Sequence, residues 1–283
     1  MTMRSVFRDG LFDGNTLIVS GGGTGIGLAI ARELAFLGAT VVLCARNLER
    51  LERARDGILA AGGRAEALMC NIREPESVEA LFATVKERHG RIGGLVNNAG
   101  GQFLSPAAAI TPKGWHAVVE TNLSGAFSMS RAALNASMRE HGGAIVNIVA
   151  EMWRGFPGMA HSGAARAGVV NLTQTLALEW AQYGVRVNAV APGIINSSGL
   201  QTYPPEVQER FAEIAKDVPA GRMGSESEVA SAVTYLLSPA ASFISGATLK
   251  VDGAGSLYRL QGYVIPEHAP WPSFSETPDE QPE

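Results

Sequence analysis

The 283-residue sequence contains only two cysteines, Cys44 and Cys70, and neither belongs to a CxxC pair or a Cys/His cluster. A disulfide framework and a metal site are therefore not expected. Both thiols end apolar runs and read as buried and free. No apolar run reaches the about 18 residues of a membrane span. Neither sign of charge dominates: 23 Lys+Arg against 27 Asp+Glu leave a net charge of −4, which argues against a nucleic-acid partner. The first residues carry Asp9 and Asp13 and have no apolar signal region. Gln281-Pro282-Glu283 is not a peroxisomal address. A cytoplasmic protein with no membrane contact is expected.

Glycine is abundant, with 33 residues and no collagen-like period, which points to turns and close-approach loops. Short apolar runs alternate with amphipathic stretches. Strands are expected at 16–20, 40–45, 65–70, 94–96, 144–149, 185–190 and 248–251. Helices are expected between them, including 48–59, 163–183, 206–216 and 226–237. Thr111-Pro112 reads as an N-cap with Pro at the first helical position, opening a helix that runs to about residue 139. The alternation predicts one α/β domain over 1–283, a doubly wound parallel sheet of Rossmann type. Residues 194–224 read as a substrate lid, and the proline-rich tail from about Pro266 to 283 as extended.

Ligands of such sheets bind beyond the carboxyl ends of the strands. Ser20-Gly21-Gly22-Gly23-Thr24-Gly25-Ile26-Gly27 joins the first strand to the first helix. Its spacing is GxxxGxG, not GxGxxG. Gly21, Gly23, Thr24, Gly25, Ile26 and Gly27 would bring backbone N–H groups and a helix N-terminus to a pyrophosphate. An NAD site would place a carboxylate at the end of the second strand. Cys44-Ala45-Arg46 stands there instead, and Arg46 suits a 2′-phosphate, so NADPH is the expected cofactor. Asn71 follows the third strand, within reach of an adenine edge. Asn98, Ala99 and Gly100 follow the fourth, where small residues let backbone lie against a ribose. Pro192-Gly193 follows the sixth and leads to Ser197, placed to hold a nicotinamide carboxamide.

Taken together, the glycine loop, Asn97-Asn98-Ala99-Gly100, Asn122, Pro192-Gly193 and the closing Val251-Asp252-Gly253 resemble the short-chain dehydrogenase/reductase family over residues 12–256. Gly100-Gly101-Gln102-Phe103-Leu104-Ser105-Pro106 and His161-Ser162-Gly163-Ala164-Ala165-Arg166 are similar to the trans-2-enoyl-CoA reductase and 2,4-dienoyl-CoA reductase members of that family. The resemblance implies NADPH-dependent reduction of an unsaturated acyl-CoA by a homotetramer. The family's usual catalytic set is Asn, Ser, Tyr and Lys. By position Asn122 matches the Asn, the Ser falls near Val149, Ser162 stands for the Tyr and Arg166 for the Lys.

A serine hydroxyl is a poor acid near neutral pH and Arg stays protonated, so this pair cannot run a Tyr–Lys proton relay. Reduction of an enoyl thioester asks less: an oxyanion must be stabilised and Cα must receive a proton. Ser162 is the expected donor to the thioester carbonyl. Arg166 would hold the nicotinamide ribose and add positive field, and Asn122 would order a water or fix its helix. Gln102 and Phe103 are candidate substrate contacts. For the Cα proton, water, His161 and Tyr203 stay open. So do two other readings of the chain: a carbonyl reductase with a substitute acid, and a nucleotide-binding protein with little catalysis.

Overall fold

The computed structural model describes residues 5–258 and 268–274. Strands β1 (Thr16–Ser20), β2 (Thr40–Ala45), β3 (Arg64–Met69), β4 (Gly94–Asn97), β5 (Gly143–Ile148) and β6 (Val185–Pro192) carry most of the central sheet. With β9 (Thr248–Val251) they make a seven-stranded sheet in the order β3-β2-β1-β4-β5-β6-β9, every neighbouring pair parallel. Both faces are covered, so the central strands are apolar throughout rather than alternating: β1 and β4 are buried at every residue. Successive side chains enter different layers. Leu17 and Val19 pack with Ile30 and Leu34 of α1 (Gly25–Phe36), Leu51 of α2 (Leu48–Ala60) and Val233 of α9 (Glu226–Leu237). Ile18, between them, packs with Phe82 of α3 (Pro75–His89), Met129 of α5 (Gly125–Ala133) and Leu176 of α7 (Ala160–Glu179).

Thr111 caps α4 (Pro112–Val119), its hydroxyl accepting from Gly114 N at 3.1 Å with Pro112 at the first position. The expected long helix does continue to α6 (Arg139–His141), but two π-helical turns, Glu120–Ser124 and Leu134–Met138, interrupt it. The first contains Asn122. A π-turn rotates the side chains that follow it and is frequent at functional sites. Helix α7 starts at Ala160, three residues ahead of expectation, so that His161 and Ser162 lie in its first turn. Its N-cap, Met159, makes no side-chain cap, so no capping residue marks the start.

The stretch 194–224 contains β7 (Ile195–Asn196), a 3₁₀ turn at Leu200–Thr202 and α8 (Pro205–Lys216). It closes at its base, where β7 pairs with β8 (Gly224–Ser225). Of the expected tail, residues 268–274 run without helix or strand along the end of this stretch. Trp271 N donates to Ala220 O at 2.9 Å, and Ser225 Oγ donates to Phe274 O at 2.8 Å. Residues 266, 267 and 275–283 of that tail lie outside the described residues. Cys44 and Cys70 are buried and free, and burial pushes both thiols up. Among the described residues no helix is long and apolar enough to cross a membrane.

Candidate active site

Strand order reverses where β1 neighbours β4, and the two strands end side by side with Ser20 opposite Asn97. Their loops are knotted together by the Ser20 hydroxyl. It accepts from Asn98 N and Ala99 N, both at 3.0 Å, and donates to Val96 O at 3.2 Å. The Asn98 amide donates to Ser20 O and Gly21 O. An open sheet binds ligands at such a reversal, and two adjoining cavities open there, sharing Ile26, Asn98, Gly100, Ser197 and Gly199.

The smaller, about 340 Å³, is lined by Gly21, Thr24, Gly25, Ile26, Gly27, Arg46, Asn71, Asn98, Ala99, Gly100 and Ser197. Gly21 and Gly25 sit at φ +68° and +59°, left-handed conformations that strain any side chain. A Cβ on Gly27 would lie 2.3 Å from Gly21 O, so the helix start is packed directly on the loop. Thr24, the N-cap of α1, makes no side-chain cap. The first N–H groups of α1 thus lack a side-chain acceptor, which suits a phosphate. These features fit a dinucleotide. Gly23 instead lies against α2, where an added Cβ would meet Leu51 and Arg50. The Asn71 amide donates to Glu74 Oε1 at 2.6 Å. Arg73, which the sequence reading passed over, also lines this cavity, and it is paired with Glu120 at 2.6 Å. Its position two residues past Asn71, at the same strand end, was the available signal.

The larger cavity, about 1090 Å³, carries Gln102, Phe103, Arg166, Pro192, Gly193 and Tyr203 on its walls. Apolar lining comes from Leu104, Phe156 and Met159 on one side and from Val207, Phe211 and Ile214 of α8 on the other. The last three went unnamed in the sequence reading, although their i, i+4, i+7 spacing marks one helical face. Phe211 meets the Tyr203 ring edge-on, with centroids 6.1 Å apart.

Ser162 and Arg166 are one turn apart on α7, on the same side as Ala165 and Val169. Arg166 Nε donates to Ser162 Oγ at 3.2 Å and Nη1 to Ile148 O at 3.0 Å. Burial lowers the guanidinium pKa to about 10, against a smaller opposite influence of Tyr203, so it is a cation at neutral pH. The Ser162 hydroxyl is fully buried and donates to Gln102 Oε1 at 2.7 Å. The Gln102 amide then donates from Nε2 to the Tyr203 hydroxyl at 3.4 Å. The group presented to the cavity is thus the Gln102 amide, with Ser162 behind it.

Asn122 is tied at both ends to one backbone unit: Oδ1 accepts from Gly101 N at 2.9 Å and Nδ2 donates to Gly101 O at 3.0 Å. It holds the loop that carries Gln102. His161 is fully buried. Its Nδ1 accepts from Ser162 N at 2.8 Å, which leaves the ring proton on Nε2, a buried atom with no hydrogen-bond partner. Its ring meets Phe103 edge-on at 4.4 Å. Glu151 lines the cavity, and its Oε1 is buried without a partner.

A family model described as enoyl-(acyl carrier protein) reductase matches residues 21–255. A probable 2,4-dienoyl-CoA reductase of Bacillus subtilis is 38% identical over 240 residues, spanning 84% of this chain and 94% of that protein. The citronellol catabolism dehydrogenase of Pseudomonas aeruginosa superposes at a TM-score of 0.81 with 51% identity, covering 89% of this chain and 99% of that one. A variant actinorhodin polyketide ketoreductase, solved with NADPH, superposes at 0.81 with 36% identity, over 86% and 98% of the two chains. With sequence and fold matched over nearly the same span, the chain belongs to the short-chain dehydrogenase/reductase family of oxidoreductases.

Proposed function

We propose that the protein reduces the Cα=Cβ double bond of a trans-2-enoyl-CoA with NADPH. The carrying observation is that Ser162 and Arg166, which stand at the family's Tyr and Lys positions, turn an amide and not an acid toward the cavity. Arg166 donates to Ser162, and Ser162 donates to Gln102 Oε1, which turns Gln102 Nε2 outward as a donor. An amide N–H gives a hydrogen bond and no proton at neutral pH. It stabilises a thioester enolate oxygen without protonating it, and the buried cation behind it strengthens the bond. A ketone reductase needs the opposite, a proton delivered to oxygen.

When bound, the reduced nicotinamide supplies a hydride. Gly21, Gly25, Ile26 and Gly27 would hold its pyrophosphate and Arg46 a 2′-phosphate. Asn71, Asn98 and Ala99 would line the adenosine half, and Gly193 and Ser197 the carboxamide. Arg166 lies close behind Gly100, where a Cβ would come within 3.2 Å of Nη2, and would meet the nicotinamide ribose there. The apolar residues of α8 and Phe103 would cover an acyl chain, making 194–224 the lid over it. The names of the Bacillus subtilis relative and of the matching family model support the double-bond chemistry.

The test is NADPH oxidation with trans-2-enoyl-CoA thioesters of increasing chain length beside 3-ketoacyl-CoA thioesters. Turnover of the enoyl series is expected. Reduction of 3-ketoacyl thioesters alone would overturn the proposal.

A further inference from the structure

We infer that Tyr203, carried on the lid, is the acid that protonates Cα. The inference rests on the proposed double-bond reduction for the identity of the protonated atom. Three relationships support it.

The first is direction. Each bond from the buried guanidinium outward is donated away from it: Arg166 to Ser162, Ser162 to Gln102, Gln102 to Tyr203. The Tyr203 oxygen therefore accepts within this chain, and its own proton is free for the cavity it lines. A hydrogen bond donated to the phenol oxygen favours the phenolate that remains after proton transfer.

The second is charge. The Arg166 cation lies within electrostatic range of the Tyr203 hydroxyl, whose presence opposes the effect of burial on the guanidinium. A developing phenolate would be stabilised by that cation.

The third is placement. Tyr203 N donates to Leu200 O, the Gln208 amide donates to Tyr203 O at 2.7 Å, and the ring leans on Phe211. The phenol is held by the lid's own turn and helix, while its hydroxyl meets Gln102 from the opposite wall. The oxygen-stabilising donor and the acid are thus separate groups on facing walls, as an enolate requires: one for the oxygen, one for the carbon.

The step balances. With the hydride delivered to Cβ, the electron pair of the C=C bond moves onto the thioester oxygen as an enolate. As the carbonyl re-forms, Cα takes the Tyr203 proton and the O–H electron pair stays on the phenolate oxygen. The Gln102 amide cannot relay a proton to it, so water reprotonates Tyr203 when the lid opens.

The experiment is reduction of crotonyl-CoA in deuterium oxide by the wild type, Tyr203→Phe, Gln102→Leu and Glu151→Gln, with NADPH affinity measured for each by fluorescence. Tyr203→Phe keeps the ring on Phe211. The wild type should place one deuterium at Cα in a single configuration. Tyr203→Phe should lose about 100-fold or more in kcat, bind NADPH unchanged, and give a mixture of Cα configurations in its residual product. A merely structural role would not scramble that centre. Gln102→Leu should lower kcat and keep the single configuration. Full rate and a single configuration in Tyr203→Phe would overturn the inference, as would scrambling in Glu151→Gln in its place. If the wild type ignores crotonyl-CoA and reduces acetoacetyl-CoA, the double-bond reading fails on its own. Tyr203→Phe on acetoacetyl-CoA then decides the residue: loss of rate keeps Tyr203 as the acid, now for oxygen, and an unchanged rate removes it.

Discussion

Arg166 donates from Nε to the Ser162 hydroxyl at 3.2 Å, and the serine donates its own proton onward, to Gln102 Oε1 at 2.7 Å. An amide 60 residues away in sequence is thereby linked through one hydroxyl to a buried cation. Ser162→Ala removes this link and lets Gln102 present its oxygen to the cavity. Turnover should fall about 10–100-fold, the worth of a charge-assisted bond of about 1.5–3 kcal/mol. NADPH affinity should hold, because Ser162 lies behind Gln102. Arg166→Lys should lower both, since a single ammonium nitrogen replaces the separate Nε and Nη1 that reach Ser162 and Ile148 O. Steady-state kinetics and cofactor titration of the two variants check this.

Arg46 stands at the end of β2 on the smaller cavity, and no carboxylate shares that strand end. Arg46→Ala should raise the KM for NADPH about 10–100-fold while leaving that for NADH nearly unchanged, since only the former carries the 2′-phosphate. Equal effects on the two cofactors would remove Arg46 from this role. Paired kinetics with both cofactors make the comparison.

How much of this was readable from the sequence follows from distance along the chain. The β1–loop–α1 unit is local, and its glycines announce both the turn and the close approach. Gln102, Ser162 and Tyr203 were each named, but their partnership spans 60 and 101 positions and exists only once the loop after β4, α7 and the 194–224 stretch converge. His161 misleads by adjacency: one step along a helix is about a quarter turn, so this neighbour of Ser162 lies fully buried behind the Phe103 ring and does not line the cavity. The π-turn at Asn122 has no signature in Glu-Thr-Asn-Leu-Ser. The two hydrogen bonds it allows to Gly101 account for it.

Those two bonds make Asn122 a positioning residue. Asn122→Ala should cost about 1–3 kcal/mol of stability and lower kcat by loosening the Gln102 loop. Asn122→Asp should do worse than its size suggests. One carboxylate oxygen still accepts from Gly101 N, but the other now opposes Gly101 O, where an amide donated. Thermal unfolding read beside kcat separates the variants, with Asp at or below Ala in both.

Gly27 has no room to change. An added Cβ would sit 2.3 Å from Gly21 O and 2.4 Å from Asn98 Nδ2, and the first of these is backbone. Gly27→Ala should destabilise by about 1–3 kcal/mol through overpacking and widen the phosphate loop. Its NADPH affinity should drop more than its melting temperature suggests. Gly57→Ala, at an open position in α2, is the control and should be neutral or stabilising.

Glu228 links the end of the 194–224 stretch to α9 and to residues 271–274. It completes a capping box with Ser225, accepting from Ser225 N at 2.8 Å while Ser225 Oγ accepts from Glu228 N at 3.2 Å. It also takes a bidentate bond from Arg222, at 2.6 and 2.9 Å, with both side chains about four-fifths buried. Arg222 in turn donates to Trp271 O and Pro272 O. Burial alone would raise the Glu228 pKa, but the Arg222 and Ser225 bonds outweigh it and hold the carboxyl below its usual range. A carboxylate with a depressed folded pKa adds stability that is complete above its unfolded pKa, about 4.3, and lost as pH falls through the folded one. Glu228→Gln should therefore lower stability at neutral pH by about 1–3 kcal/mol, and the gap to the wild type should close in acid. Arg222, left without its carboxylate, would hold residues 271 and 272 less firmly. Limited proteolysis should then cut the tail faster in Glu228→Gln at neutral pH and equally in both proteins at acid pH.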